Sequence, residues 1–166
     1  MKMNSQYLEG IGHGKIERVV MGKLKIGVDL LAGIEELARK ENIKTGVILS
    51  GIGALEKAVF RNAKIVPPDY KMEDKYRVYI EITNPLELLS LSGWVATTAK
   101  GELNIHAHFS ASTVVDDKVI SLGGHLTKGT ITSIKNVVTI GVIEDTDIKA
   151  ALDPKVNQVD VDFGDK

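Results

Sequence analysis

Apolar residues recur along this chain with two periods, which divide it into one clear helix and a series of strands. From Asp29 to Lys40, the residues Leu30, Leu31, Ile34, Leu37 and Ala38 fall at helical spacing, with an acid at the start and Arg39 and Lys40 at the end. That spacing gathers them on one face of an α-helix, and the terminal charges suit its dipole. Elsewhere the period shortens. Ile16, Val19 and Val20 lie among charges between Lys15 and Met21, before Gly22. This predicts a first strand with a bulge or uneven pairing. Gly46-Val47-Ile48-Leu49, closed by Ser50-Gly51-Ile52-Gly53 and followed by Leu55 to Ala63, predicts a strand, a glycine turn and a second strand.

Pro67-Pro68-Asp69 cannot continue a ladder and marks an exposed loop before Tyr76 to Ile82, where Tyr76, Val78, Ile80 and Ile82 alternate with polar partners. Leu86 to Thr98 carries no charge after Glu87, and its run of apolar residues predicts a central strand buried on both faces. Lys100-Gly101 supplies a turn into Glu102 to Ser110, and Asp116-Asp117 a turn into Lys118 to Leu122, which Gly123-Gly124 interrupts. Val137 to Ile143 forms a last β-rich segment, and the chain beyond Asp145 is weakly specified. The expected fold is α/β of the α+β kind, a mainly antiparallel β-sheet flanked by helices. No repeat or linker divides it, so residues 1–166 are expected to form a single domain, with 146–166 a tail packing on it or extending from it.

Composition narrows the chemistry. A 166-residue domain buries roughly 70% of the surface its unfolded chain exposes. The hydrophobic share of 43% and charged share of 26% are those of ordinary globular proteins. Net charge is -1, so no global positive field draws in nucleic-acid phosphates, and only Arg18, Arg39, Arg61 and Arg77 offer bidentate contacts. With no cysteine, a transition-metal site must use nitrogen and oxygen ligands. Residues 1–6 show no apolar leader segment and no apolar run is long enough to span a bilayer, so no membrane partner and a cytoplasmic location are expected.

The candidate site lies in Leu103-Asn104-Ile105-His106-Ala107-His108-Phe109-Ser110, where odd positions are apolar and even positions polar. On a strand, residues two apart share a face about 6 to 7 Å apart, which lets His106 and His108 converge on one ion. His125 follows a glycine pair that permits close approach to a neighbouring strand, and these three account for all but one of the chain's four histidines. Three neutral imidazoles leave the fourth position of tetrahedral zinc open to water or a small molecule. The plainer alternative makes His106 and His108 polar residues of a solvated strand and His125 a turn residue. His13, among Gly10, Gly12 and Gly14, reads as loop.

Other signals are weaker. Gly51-Ile52-Gly53 begins like a dinucleotide fingerprint, but Glu56 occupies the third glycine position, and a tight turn is the preferred account. No phosphate loop or nucleophile elbow is present. Glu87, Glu102 and Glu144 are candidate general bases only if folded beside the ion, and Trp94 is expected in the core or at an interface.

Three blocks together resemble the plants-and-prokaryotes conserved (PPC) domain family, related to the AT-hook proteins, in its stand-alone prokaryotic form. They are Gly46-Val47-Ile48-Leu49-Ser50-Gly51-Ile52-Gly53-Ala54, then Leu86-Glu87-Leu88-Leu89-Ser90-Leu91-Ser92-Gly93, then His106-Ala107-His108 with Gly123-Gly124-His125-Leu126, and the resemblance covers about residues 8 to 145. It implies an antiparallel sheet flanked by helices, a homotrimer, and histidines in a cleft near the subunit interface that bind zinc or a similar metal in some relatives. Plant relatives carry AT-hook segments that bind DNA. This chain has no Arg-Gly-Arg-Pro hook, which leaves DNA binding or a regulatory role as the alternative to a metal-dependent small-molecule site.

Overall fold

The computed structural model describes residues 6–164, and the expectation drawn from residues 1–6 falls almost wholly outside the described residues. In order, the elements are β1 (Lys15–Lys23), α1 (Leu30–Lys40), β2 (Thr45–Ala63), β3 (Arg77–Ile82), β4 (Leu86–Thr97), β5 (Leu103–Val115), β6 (Lys118–Leu126), β7 (Ile131–Thr132), β8 (Val137–Glu144), β9 (Lys149–Asp153) and β10 (Gln158–Asp162). Strands β1 to β8 form one antiparallel sheet in the order β1-β8-β2-β4-β5-β6, with β3 and β7 attached to β2. β6 comes back to the far end of β2 through Phe60↔Leu126 and Arg61↔His125, so β2, β4, β5 and β6 close into a ring.

The interior of that ring and the face beneath α1 make the core. Leu30, Ile34 and Ala38, spaced four apart on α1, join Phe60, Phe109 and Ile140 in one buried cluster, where the Phe60 and Phe109 rings stack at 4.7 Å. Asp29 caps the helix: its Oδ1 accepts from the Ala32 amide at 2.9 Å, and its Oδ2 accepts from the Gly129 amide at 2.6 Å. The same carboxylate thus fixes the helix start and the loop ahead of β7. No helix among the described residues is long and apolar enough to cross a membrane.

The antiparallel sheet is as expected, but several local expectations are corrected. One α-helix flanks the sheet, joined only by a short 3-10 turn at Asp74–Tyr76 among the described residues. Ser50 to Gly53 is no turn: β2 runs straight through it, with a register shift between Ile48 and Ser50. Gly51 is needed because a Cβ there would lie 2.6 Å from the Leu91 side chain, so the glycine marks crowding between strands. β4 is central, between β2 and β5, yet it is buried on one face only; Leu89 lies in a register shift and is 54% exposed. Gly123-Gly124 does not end β6, which continues to Leu126. The tail beyond Asp145 folds as the β9–β10 hairpin and touches the end of β4 through a bridge between Thr98 and Ala150.

Where β4 and β5 cross, Gly93 stands opposite Ala107, and a Cβ on Gly93 would lie 2.1 Å from the His106 carbonyl oxygen and 2.7 Å from the Ala107 Cα. Both obstacles are backbone and cannot rotate away. Gly93→Ala is therefore expected to destabilise the fold by about 2–3 kcal/mol, measured as a lowered urea midpoint, because the strands must separate to admit the methyl group.

Candidate metal centre

The candidate site grows from the pairing of three strands. In an antiparallel ladder, residues directly opposite each other share a face. Trp94 on β4 faces His106 on β5, and His108 on β5 faces His125 on β6. His106 and His108, two apart, project on the side opposite Ala107 and Phe109, which are buried. His125 reaches this side because β6 stays extended through its glycines and comes against β2; a Cβ on Gly124 would lie 3.0 Å from the Arg61 carbonyl oxygen. The close approach expected of the glycine pair is present, without the sharp turn.

The three imidazoles converge. Nε2 of His106 lies 3.2 Å from Nε2 of His108, and one potential ligand atom from each of the three histidines lies within 4.8 Å of the others. The His125 ring stands at 67° to His106 and 84° to His108, with centroids at 4.8 and 5.1 Å, so it closes the third side of a triangle. Tetrahedral bonds of about 2.0–2.1 Å set ligand nitrogens about 3.4 Å apart, a spacing the His106–His108 pair nearly matches. The third nitrogen lies within 4.8 Å of both. The donor set therefore fits a divalent ion that accepts nitrogen ligands.

Electrostatics prepare the same set for a cation by keeping it unprotonated. Burial, with Arg61 second, pushes His125 down to about 3, and burial followed by Arg61 lowers His108. His106 is lowered by burial and by His108, while the carboxylate of Asp160 on β10 pulls the other way. At neutral pH all three are neutral and offer lone pairs.

The expected histidines are thus brought together, and His13 is exposed and outside the cluster. Glu87, Glu102 and Glu144 are exposed and do not join it; Glu144 interacts with Glu17, and the carboxylate acting on the imidazoles is Asp160. Trp94 is half-buried, with its ring 5.4 Å from that of His106. The sequence argument did not place Arg61, Arg77, Tyr79 and Asp160 at this site. A groove of about 530 Å³ between β1 and α1 takes in none of these residues.

Solved structures share this fold. The crystal structure of a metal-containing protein from Archaeoglobus fulgidus is 26% identical, with a TM-score of 0.70 over 90% of this chain and 96% of that one. A plant- and prokaryote-conserved protein from Pyrococcus horikoshii is 24% identical, with a TM-score of 0.68 over 90% of this chain and 95% of that one. Among curated proteins no significant match is found.

Because the folded imidazoles are lowered below the ordinary value of 6.5, the unfolded chain binds more protons as the pH falls. Their contribution to stability is complete above about pH 6.5 and is lost on acidification towards the folded values, near pH 3 for His125. Metal-free protein should show a falling urea midpoint across this window, and His125→Gln should flatten part of the decline. An unaltered slope in the variant would show that this imidazole is not linked to folding.

The family model for the Plants and Prokaryotes Conserved (PCC) domain matches residues 11–144, strands β1 to β8 with all three histidines, and the chain belongs to that family.

Proposed function

We propose that this chain is a divalent-metal-binding domain in which His106, His108 and His125 hold the ion and leave a coordination position for a small molecule. The observation that carries this reading is the convergence of three neutral imidazoles, without a carboxylate or thiolate among them, from two strands of one sheet face. Zinc suits that donor set best, and a resident ion would supply Lewis acidity beside Trp94. The relationship to a metal-containing Archaeoglobus protein supports the assignment. His106→Ala/His108→Ala is the direct test. Elemental analysis of untagged protein after gel filtration near neutral pH should find about one ion per chain, absent from the variant. No metal in either protein, even after added zinc, would overturn the reading and make DNA or a protein partner the next candidate.

The working unit in this proposal is a homotrimer. Exposed apolar side chains support self-association: Leu49 and Ile52 on β2, Leu89 on β4, and Val114 and Val119 on β5 and β6. Light scattering should give the mass of three 18.0 kDa chains, and a single-chain mass would remove the trimer from the proposal.

A further inference from the structure

Beside the three imidazoles the sheet carries a second constellation. Arg61 on β2 stands opposite His125 on β6 and opposite Tyr79 on β3, and two residues further along β2, Ala63 stands opposite Arg77. Opposite residues share a face, as do residues two apart on a strand, so both arginines belong to the face that carries His106, His108 and His125. Diagonal neighbours of this kind lie about 7–8 Å apart at Cα, within mutual reach of two long side chains.

Their charges are poorly compensated. Arg77 is only 16% exposed; its Nη2 donates to Gln158 Oε1 at 2.7 Å, and its Nη1 stands 4.0 Å from Asp74 Oδ1. That carboxylate is already occupied, accepting from the Tyr79 hydroxyl at 2.5 Å. Arg61 is half-buried, and among the described residues it has no carboxylate within 4.0 Å. Burial, then the Arg77 charge, weighs against its protonated form, and a hydrogen bond to the Tyr79 hydroxyl with the more distant charge of Asp74 offsets this only in part. Among the described residues, one solvent-facing carboxylate, that of Asp74, thus stands within ion-pair range of either guanidinium group, and it reaches only Arg77; Asp160 acts further along, at His106.

A site meant only to retain metal gains from carboxylates around its imidazoles, whereas positive charge nearby weakens cation binding. Arginines held at this position therefore serve something other than metal affinity. A guanidinium presents a planar fork of donors that matches a carboxylate or phosphate, and its attraction strengthens where water is partly excluded. We propose that Arg61 and Arg77 form an oxyanion-binding subsite beside the histidine cluster, so that the small molecule taken up here carries a carboxylate or phosphate group. This rests on the metal-site reading above for the second half of the ligand, the part nearest His106, His108 and His125. The oxyanion anchors at Arg61 and Arg77, and Trp94 lies at the opposite margin, beyond His106.

The experiment is an NMR titration of zinc-loaded and metal-free protein with acetate and, separately, with inorganic phosphate, following the arginine Nε–Hε signals. Zinc content, measured on the same samples, reports the metal reading independently. Saturable shifts of the Arg61 and Arg77 signals are expected in the metal-free protein and tighter binding in the zinc-loaded form. The tighter of the two anions identifies the group. Arg61→Gln and Arg77→Gln should each weaken binding by at least about tenfold, the loss expected for a charge-assisted hydrogen bond, with zinc content unchanged. Arg61→Lys should lose less. If Arg61→Gln fails to fold, Arg77→Gln decides the matter. Absence of saturable shifts with either anion, or equal affinity in wild type and both glutamine variants, overturns the subsite even if zinc is bound. Loss of zinc uptake with intact anion binding overturns the metal reading alone.

Discussion

The return of β6 onto the far end of β2 is the constraint on which the rest depends. Two residue pairs make it, and they divide the work between the faces of the sheet: Phe60↔Leu126 points inward and Arg61↔His125 outward. The inner pair is apolar and almost fully buried, continuous with the stacked Phe109, so hydrophobic burial drives the closure. The outer pair follows from it. An imidazole is carried to within coordination reach of two others by the packing of a phenylalanine and a leucine on the far side of the same backbones. The period of two in a strand makes this coupling rigid, since a slip of one residue would send Phe60 outward and Arg61 into the core.

That arrangement also explains why the imidazoles stay neutral. They stand on a half-buried face, next to a guanidinium, and both influences oppose protonation. The guanidinium of Arg61 acts second to burial at both His108 and His125, so the imidazoles are held neutral mainly by exclusion of water and only in part by charge. At His106 the carboxylate of Asp160 on β10 opposes this influence.

Much of this was legible in the chain, to the extent that the relevant physics is local. Helix α1 and its Asp29 cap follow from spacing and charge within a dozen residues, and the alternation around His106 and His108 puts both on one strand face without knowledge of any partner. His125 was recognisable through its glycine pair, although Gly124 serves close approach to Arg61 and Asn62 within a continuous strand. Gly51 and Gly53 are alike in this respect: in sequence a glycine reads the same whether it turns a chain or makes room for a neighbour, here Leu91 for Gly51 and Asn136 for Gly53. Arg61, Arg77 and Asp160 were not legible as members of the site because their place depends on closure of the sheet and on the docking of a hairpin, both decided by contacts between segments distant in sequence. Leu89, apolar and yet exposed, misled for a related reason, since a register shift turns it out of the core that its neighbours enter.

The hairpin of β9 and β10 lies beyond the family-matched stretch of residues 11–144, yet it supplies Gln158 to Arg77 and the charge of Asp160 to His106. The three histidines and Arg61 thus lie within one stretch of chain, and part of the charge that acts on His106 comes from another. Because β9 and β10 pair with each other and with no strand that bears an imidazole, the charge beside His106 can vary in sequence without disturbing the register that brings the histidines together, much as an instrument is refitted by changing its faceplate.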